Sequence, residues 1–114
     1  MEVQVFGTKN DSDTRKALRF FKERRVKVHF VDLKQRAASP GELRRFVQKF
    51  GVATLVNTRA KRYAALGLGA AHLTDERWLA TLAEEPLILC LPLVRWQQRL
   101  TVGPAETEWG DWVS

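Results

Sequence analysis

The sequence predicts an α/β fold, a four-stranded mixed sheet with flanking helices and a helical insert. Three observations carry this. A strand, a helix and a strand follow one another between Val3 and Val31. A run of helical segments fills the middle of the chain. Two strands and a helix close it. At 114 residues and 45% hydrophobic content, with six Phe and four Trp, the chain fits a single domain spanning residues 1–114, with a packed core that needs no disulfide.

Val3-Gln4-Val5-Phe6 alternates apolar and polar residues and reads as a first strand. Gly7 to Asp13 is rich in Gly, Asn, Asp and Ser, so it is a loop, and Ser12 or Asp13 can cap the helix that follows. That helix runs to about Arg24 with Ala17, Leu18 and Phe21 on its inner face, and Val26 to Val31 forms a second strand parallel to the first.

Ser39-Pro40-Gly41-Glu42 is a helix start: Ser39 caps, Pro40 takes the first helical position, and Glu42 reaches back in a capping box. Leu43, Phe46, Val47 and Phe50 give the inner face, and Gly51 ends the helix. Leu55 to Leu68 reads as short helical pieces with a turn at Gly67. Thr74-Asp75-Glu76 opens a further helix that stops before Pro86. Pro92 to Trp96 and Arg99 to Val102 form a hairpin, and Glu106 to Val113 is a closing helix with Trp109 and Trp112 inward. This order, a βαβ start, a helical insert and a ββα end, resembles the thioredoxin plan in its arsenate-reductase variation.

No run of eighteen apolar residues exists, so no membrane span is expected. The start, Met1 to Phe6, lacks the basic and apolar regions of a signal peptide, and a single cysteine allows no internal disulfide; both point to the cytoplasm. The net charge of +6 is uneven. Residues 1–62 carry 16 Lys and Arg against 6 acids, whereas residues 63–114 carry 3 against 7. A solvated helix face accounts for such a cluster, and attraction for an acidic partner is the sharper reading. No helix-turn-helix, zinc-ligand or aromatic RNA-binding pattern favours nucleic acid.

Among groups that carry chemistry, Cys90 is the one thiol. It follows the apolar run Leu87-Ile88-Leu89, so a buried, inert thiol is expected. His29 lies on a strand and His72 in a loop, with no metal-ligand spacing and no Ser-His-Asp arrangement, so no metal site and no cofactor is expected.

Four short motifs then stand in order. Phe6-Gly7-Thr8-Lys9-Asn10 resembles the Tyr-Gly-Ile-Lys-Asn of the glutaredoxin-dependent arsenate reductases, the Spx regulators and their relatives of the YffB type. Arg15-Lys16-Ala17 resembles the basic pair opening the first helix in that family, Leu55-Val56-Asn57-Thr58-Arg59 its Leu-Leu-Asn-Thr-Arg, and Leu91-Pro92-Leu93 its Arg-Pro-Leu or Arg-Pro-Ile. The resemblance spans about residues 2–113 and is closest to the YffB type. It implies a thioredoxin-like fold with a cis peptide before Pro92, and a site formed by Asn10, Asp11, Arg15, Asn57, Thr58, Arg59 and Pro92.

Two functional positions depart from the family pattern. The residue after Lys-Asn, the nucleophilic cysteine in the family, is Asp11; the oxyanion-binding arginine before the proline is Leu91. The position of the second Spx cysteine is Thr14. An aspartate cannot attack arsenic or a disulfide as sulfur does, so no catalytic residue is assigned; at that position Asp11 can instead satisfy the helix dipole and cap the helix. The expectation is therefore a redox-inactive binding or regulatory module rather than an enzyme. Its expected partner is a protein: the Spx branch suggests the transcription machinery, and the family suggests glutathione as a ligand. The competing expectation is a glutathione- or glutaredoxin-linked thiol or arsenate reductase with an atypical site.

Overall fold

In the computed structural model, which describes residues 1–114, the elements run β1 (Glu2–Gly7), α1 (Ser12–Glu23), β2 (Lys27–Asp32), α2 (Pro40–Phe50), α3 (Val52–Leu55), α4 (Lys61–Ala65), α5 (Asp75–Glu84), β3 (Leu93–Trp96), β4 (Arg99–Val102) and α6 (Glu106–Val113). Short 3₁₀ turns lie at Leu68–Ala70 and Pro86–Ile88. The chain forms two compact units, one of residues 1–36 and 91–114, the other of residues 37–90. No helix is long and apolar enough to cross a membrane.

The first unit holds the whole sheet, in the order β2-β1-β3-β4. β1 pairs parallel with β2, Val3 opposite Val28 and Val5 opposite Phe30, and antiparallel with β3, Val5 opposite Val94. β3 and β4 form the expected hairpin. The alternation in β1 sends Val3 and Val5 to one face, where they are fully buried with Ala17 and Phe21 of α1, Val94 of β3, and Trp109 and Trp112 of α6. Trp109 is the largest fully buried side chain, and its indole N–H donates to Thr101 Oγ1 at 2.8 Å, so the one polar atom of the ring has a partner.

Three details of this unit differ from the sequence reading. Asp11 caps α1, not Ser12 or Asp13: it stays extended (φ −81°, ψ 123°) while Ser12 and Asp13 are already helical. Leu18 is half-exposed, because the stripe of buried α1 residues runs through Thr14, Ala17 and Phe21 and Leu18 sits on its border. The strand after Pro92 begins at Leu93, in keeping with a proline that has no N–H for a ladder. The peptide between Leu91 and Pro92 is cis, as the family resemblance implied.

α1 ends in a pair of crossed bonds. Val26 N–H donates to Phe21 O and Arg25 N–H to Lys22 O, the pattern of a Schellman cap. The residue that must be left-handed in that cap is Arg25, with φ 59°, where glycine is the usual occupant.

In the second unit the capping box of α2 is complete. Glu42 N–H donates to Ser39 Oγ at 3.1 Å and Ser39 N–H to Glu42 Oε1 at 2.9 Å. Gly51, with φ 82°, closes the helix. Leu43 and Phe46 are buried, while Val47 and Phe50 are half-buried at the edge of the stripe. α2 packs against α5 and α3. The chain does not stay helical from Leu55 onward: Val56 is extended and bridges Leu89, a geometry that suits a β-branched residue before the turn-forming Asn57. Arg62 forks onto Glu85 with bonds of 2.9 and 2.8 Å, and those bonds hold the Glu85 carboxyl below its ordinary range and the guanidinium above its own.

Candidate functional site

The loop between β1 and α1 carries the first candidate residues. Asp11 N–H donates to Thr8 O, and Asp11 O accepts from Arg15 N–H, so the turn of residues 8–11 leads directly into the helix. Asp11 Oδ2 accepts two short bonds, both 2.7 Å, from the backbone N–H and the hydroxyl of Thr14. A carboxylate therefore occupies the N-terminus of a twelve-residue helix, where free N–H groups and the helix dipole favour negative charge. Arg15 folds back, its Nη1 donating to Lys9 O at 2.9 Å, and so braces the loop. Asn10 is exposed.

β1 and β3 bring Pro92 to the same end of the sheet. Phe6 pairs with Leu93, which sets Pro92 beside Gly7, where the loop leaves β1. Pro92 is buried, its carbonyl accepts from Gly103 N–H, and Leu91 is half-buried. The first unit thus gathers Asn10, Asp11, Arg15 and Pro92 at one end of the sheet.

Asn57, Thr58 and Arg59 belong to the second unit, where they form one tight turn. Asn57 N–H donates to Ile88 O at 2.7 Å, Asn57 Oδ1 accepts from Arg59 N–H at 3.1 Å, and Asn57 O accepts from Ala60 N–H. Asn57 is half-buried and spends its side-chain oxygen on the turn, whereas Thr58 and Arg59 are exposed.

Cys90 departs from expectation. It is half-buried rather than buried, because the bridge of Leu89 with Val56 sends Leu89 into the interior and leaves its neighbour on the border. Partial burial pushes its thiol up from the ordinary range, so little of it is thiolate near neutral pH. His29 and His72 are exposed.

Two residues that hold the loop in place are Thr14 and Gly7. Thr14 is fully buried and supplies both donors to Asp11. The spacing Asp11-x-x-Thr14 is that of a helix cap with its third helical residue, so the backbone bond follows once Asp11 is the cap; the second bond, from the hydroxyl, has no sequence signal. Gly7 makes room for Thr14: a Cβ at Gly7 would lie 2.3 Å from Thr14 Oγ1 and 2.5 Å from its Cγ2. Gly7→Ala is accordingly expected to destabilise the protein by about 1–3 kcal/mol through overpacking. Adding Thr14→Ala removes the two clashing atoms, so the double variant should lose less than the two single losses summed. Urea unfolding of the four proteins reads the coupling, and strict additivity would contradict the contact.

Comparison with known proteins gives one family. The ArsC family profile matches residues 6–112. Among solved structures, a YffB protein superposes with a TM-score of 0.89 at 20% identity, covering 98% of this chain and 99% of that one. An arsenate reductase from Vibrio cholerae does so at 0.84 and 22%, with 97% of both chains covered. An ArsC family related protein from Bacteroides fragilis gives 0.86 at 21%, with 100% of this chain and 98% of that one covered. At these identities the likeness is one of fold. A search of curated proteins finds no match to the sequence. With the family profile spanning nearly the whole chain and the sheet, hairpin and helical insert in the expected order, the chain belongs to the ArsC family and has its thioredoxin-like, arsenate-reductase-type fold.

Proposed function

We propose that this chain is a redox-inactive ArsC-family protein that serves as a binding or regulatory module for another protein. The observation that carries the reading is Asp11. It follows Lys9-Asn10, the position that the family resemblance gives to the nucleophilic cysteine, and its carboxylate accepts both bonds from Thr14 at the head of α1. The same helix terminus that would stabilise a thiolate stabilises a carboxylate instead, and a carboxylate offers no sulfur to arsenic or to a disulfide. It also repels an approaching oxyanion, and Leu91 supplies no positive charge to offset this. In the first unit the loop with Asn10 and Arg15 remains as a recognition surface, and in the second the exposed turn of Asn57, Thr58 and Arg59 is a recognition element of its own. By the Spx resemblance its partner is a component of the transcription machinery; glutathione is the small ligand that the family suggests.

The competing reading, a glutathione- or glutaredoxin-linked reductase, has only the Cys90 thiol to work with, and burial holds that thiol protonated. The test is turnover with arsenate or a low-molecular-weight disulfide in the presence of glutathione and glutaredoxin. The wild type should not exceed the protein-free rate. Sustained turnover that disappears in Cys90→Ser would replace this reading with the enzymatic one.

A further inference from the structure

β2 is an edge strand: its one neighbour in the sheet is β1. The parity of its pairing is fixed at both ends, because Lys27 N–H donates to Met1 O and Leu33 N–H to Gly7 O. Odd-numbered residues therefore direct their backbone groups at β1, and Val28 and Phe30 direct theirs outward, away from the sheet. The side chains of Val28 and Phe30 rise on the α1 face, where both are half-exposed. Beside them, and bounded by Leu18 of α1, lies a groove of about 510 Å³.

The rim of this groove carries charge of one sign. Lys22, Arg25 and Lys27 line it, all exposed. They belong to a stretch, residues 15–27, with seven cations against the single acid Glu23. Arg25 is also the residue held left-handed in the Schellman cap of α1, a conformation that costs a non-glycine residue about 1–2 kcal/mol. Isolated lysines of mixed company on an edge keep other strands away. A one-signed cluster beside an apolar groove and two free pairs of backbone groups selects for an acidic strand instead.

We propose that the β2 edge and its groove bind an acidic, extended segment of another protein, which adds to the sheet as a fifth strand. The backbone of Val28 and Phe30 would pair with the segment, alternate apolar side chains of the segment would fill the groove against Leu18, Val28 and Phe30, and flanking Asp or Glu would meet Lys22, Arg25 and Lys27. A second copy of this chain is a poor occupant, since two such cationic stretches would be brought together. The groove runs from Leu18, midway along α1, to Arg25 beyond its C-terminal end, whereas Asp11 caps the N-terminal end. Redox turnover at the Asp11 end and occupancy of the groove are therefore measured separately, and either can fail without the other.

The probe is a labelled eight-residue peptide with two apolar residues at i and i+2 flanked by Glu and Asp, titrated against the full chain by fluorescence anisotropy and by amide NMR. Binding should shift and protect the Val28 and Phe30 amides. It should fall about tenfold or more when the two apolar residues become Ser, when the peptide amides that face β2 are N-methylated, or in Lys22→Glu/Lys27→Glu, whose exposed sites leave the fold intact. Arg25→Gly is the sharpest variant: glycine relieves the left-handed residue, so the protein should melt higher while it binds the peptide more weakly. No binding overturns the proposal. So does binding that is indifferent to the apolar residues or to N-methylation, which would be screened charge attraction alone. Single-stranded RNA that binds with equal affinity and the same amide shifts, or a concentration-dependent dimer of the unliganded chain that protects Val28 and Phe30, would assign the edge to those occupants and overturn it equally.

Discussion

Asp11→Cys is expected to create a thiol that reacts with iodoacetamide well below the pH at which a free cysteine does. The new sulfur would take the place of Asp11 Cγ at the head of α1, facing the Thr14 N–H and hydroxyl that now donate to Oδ2. Those donors and the helix dipole favour the thiolate, as they favour the carboxylate now, so the pKa should fall below the free value of about 8.5. A fall of about two units would raise the thiolate fraction at pH 6.5 from about 1% to about 50%. Cys90 supplies the internal control, because burial pushes its thiol the other way and it should stay slow under the same conditions. Reductase activity need not follow. Leu91 stands where the family resemblance expects an oxyanion-binding arginine, and the loss of one such donor costs about 100- to 1000-fold in rate. Asp11→Cys should therefore alkylate readily yet reduce arsenate poorly, and Asp11→Cys/Leu91→Arg should do better. The rate of alkylation against pH, followed by a turnover assay on each variant, checks both statements. An introduced thiol that titrates like free cysteine would remove the electrostatic reason for assigning the nucleophile's place to Asp11.

The largest loss of stability should come from Trp109. Its ring is fully buried, tilted against Phe20 and Phe21 at centroid distances of 5.7 and 5.3 Å, and hydrogen-bonded to the buried Thr101. Trp109→Ala empties that volume, at about 3–5 kcal/mol, and leaves the Thr101 hydroxyl without its donor. Domains of this size are stable by only about 5–15 kcal/mol, so the variant should be partly unfolded or close to it. Trp109→Phe keeps most of the packing but still orphans Thr101, for a loss of about 1–3 kcal/mol beyond the lost volume. Pairing it with Thr101→Val removes both polar atoms, and that double variant should be less destabilised than the sum of its parts. Urea unfolding followed by circular dichroism measures all four. If Trp109→Phe and Thr101→Val simply add, the indole bond contributes nothing.

The parts of this fold legible in the sequence are those set by local chemistry. Alternation in Val3-Gln4-Val5-Phe6, the capping box at Ser39 and Glu42, and the Trp109 and Trp112 spacing each specify an element by themselves, and each is found where expected. Leu18 packs against the core but only partly: periodicity finds the apolar stripe of α1 and not where its border meets an edge strand. At the head of α1, Asp11, Ser12 and Asp13 are all good capping residues, and the backbone angles decide for Asp11. The same limit held at the candidate site. Motif order located Asn10, Asp11 and Pro92, whereas the buried hydroxyl of Thr14 and the close approach of Gly7 depend on how a strand end meets a helix. The basic groove was not readable at all as a groove. Its cations were visible, but the open edge beside them follows from a strand order that no local pattern encodes.

That strand order also bears on how the protein is made. β1 is the inner strand on which both halves of the sheet meet, yet its partners enter the chain far apart: Val5 pairs with Phe30 soon after it and with Val94 much later. A ribosome must have delivered the whole stretch from β1 to β3 before β1 has its second neighbour, and α6, with Trp109 and Trp112, arrives later still. Until then Val3 and Val5 have nothing from β3 or α6 to cover them. Closing so wide a loop is slow compared with forming local contacts, so the nascent β1-α1-β2 segment is the stretch most exposed to wrong pairing during synthesis.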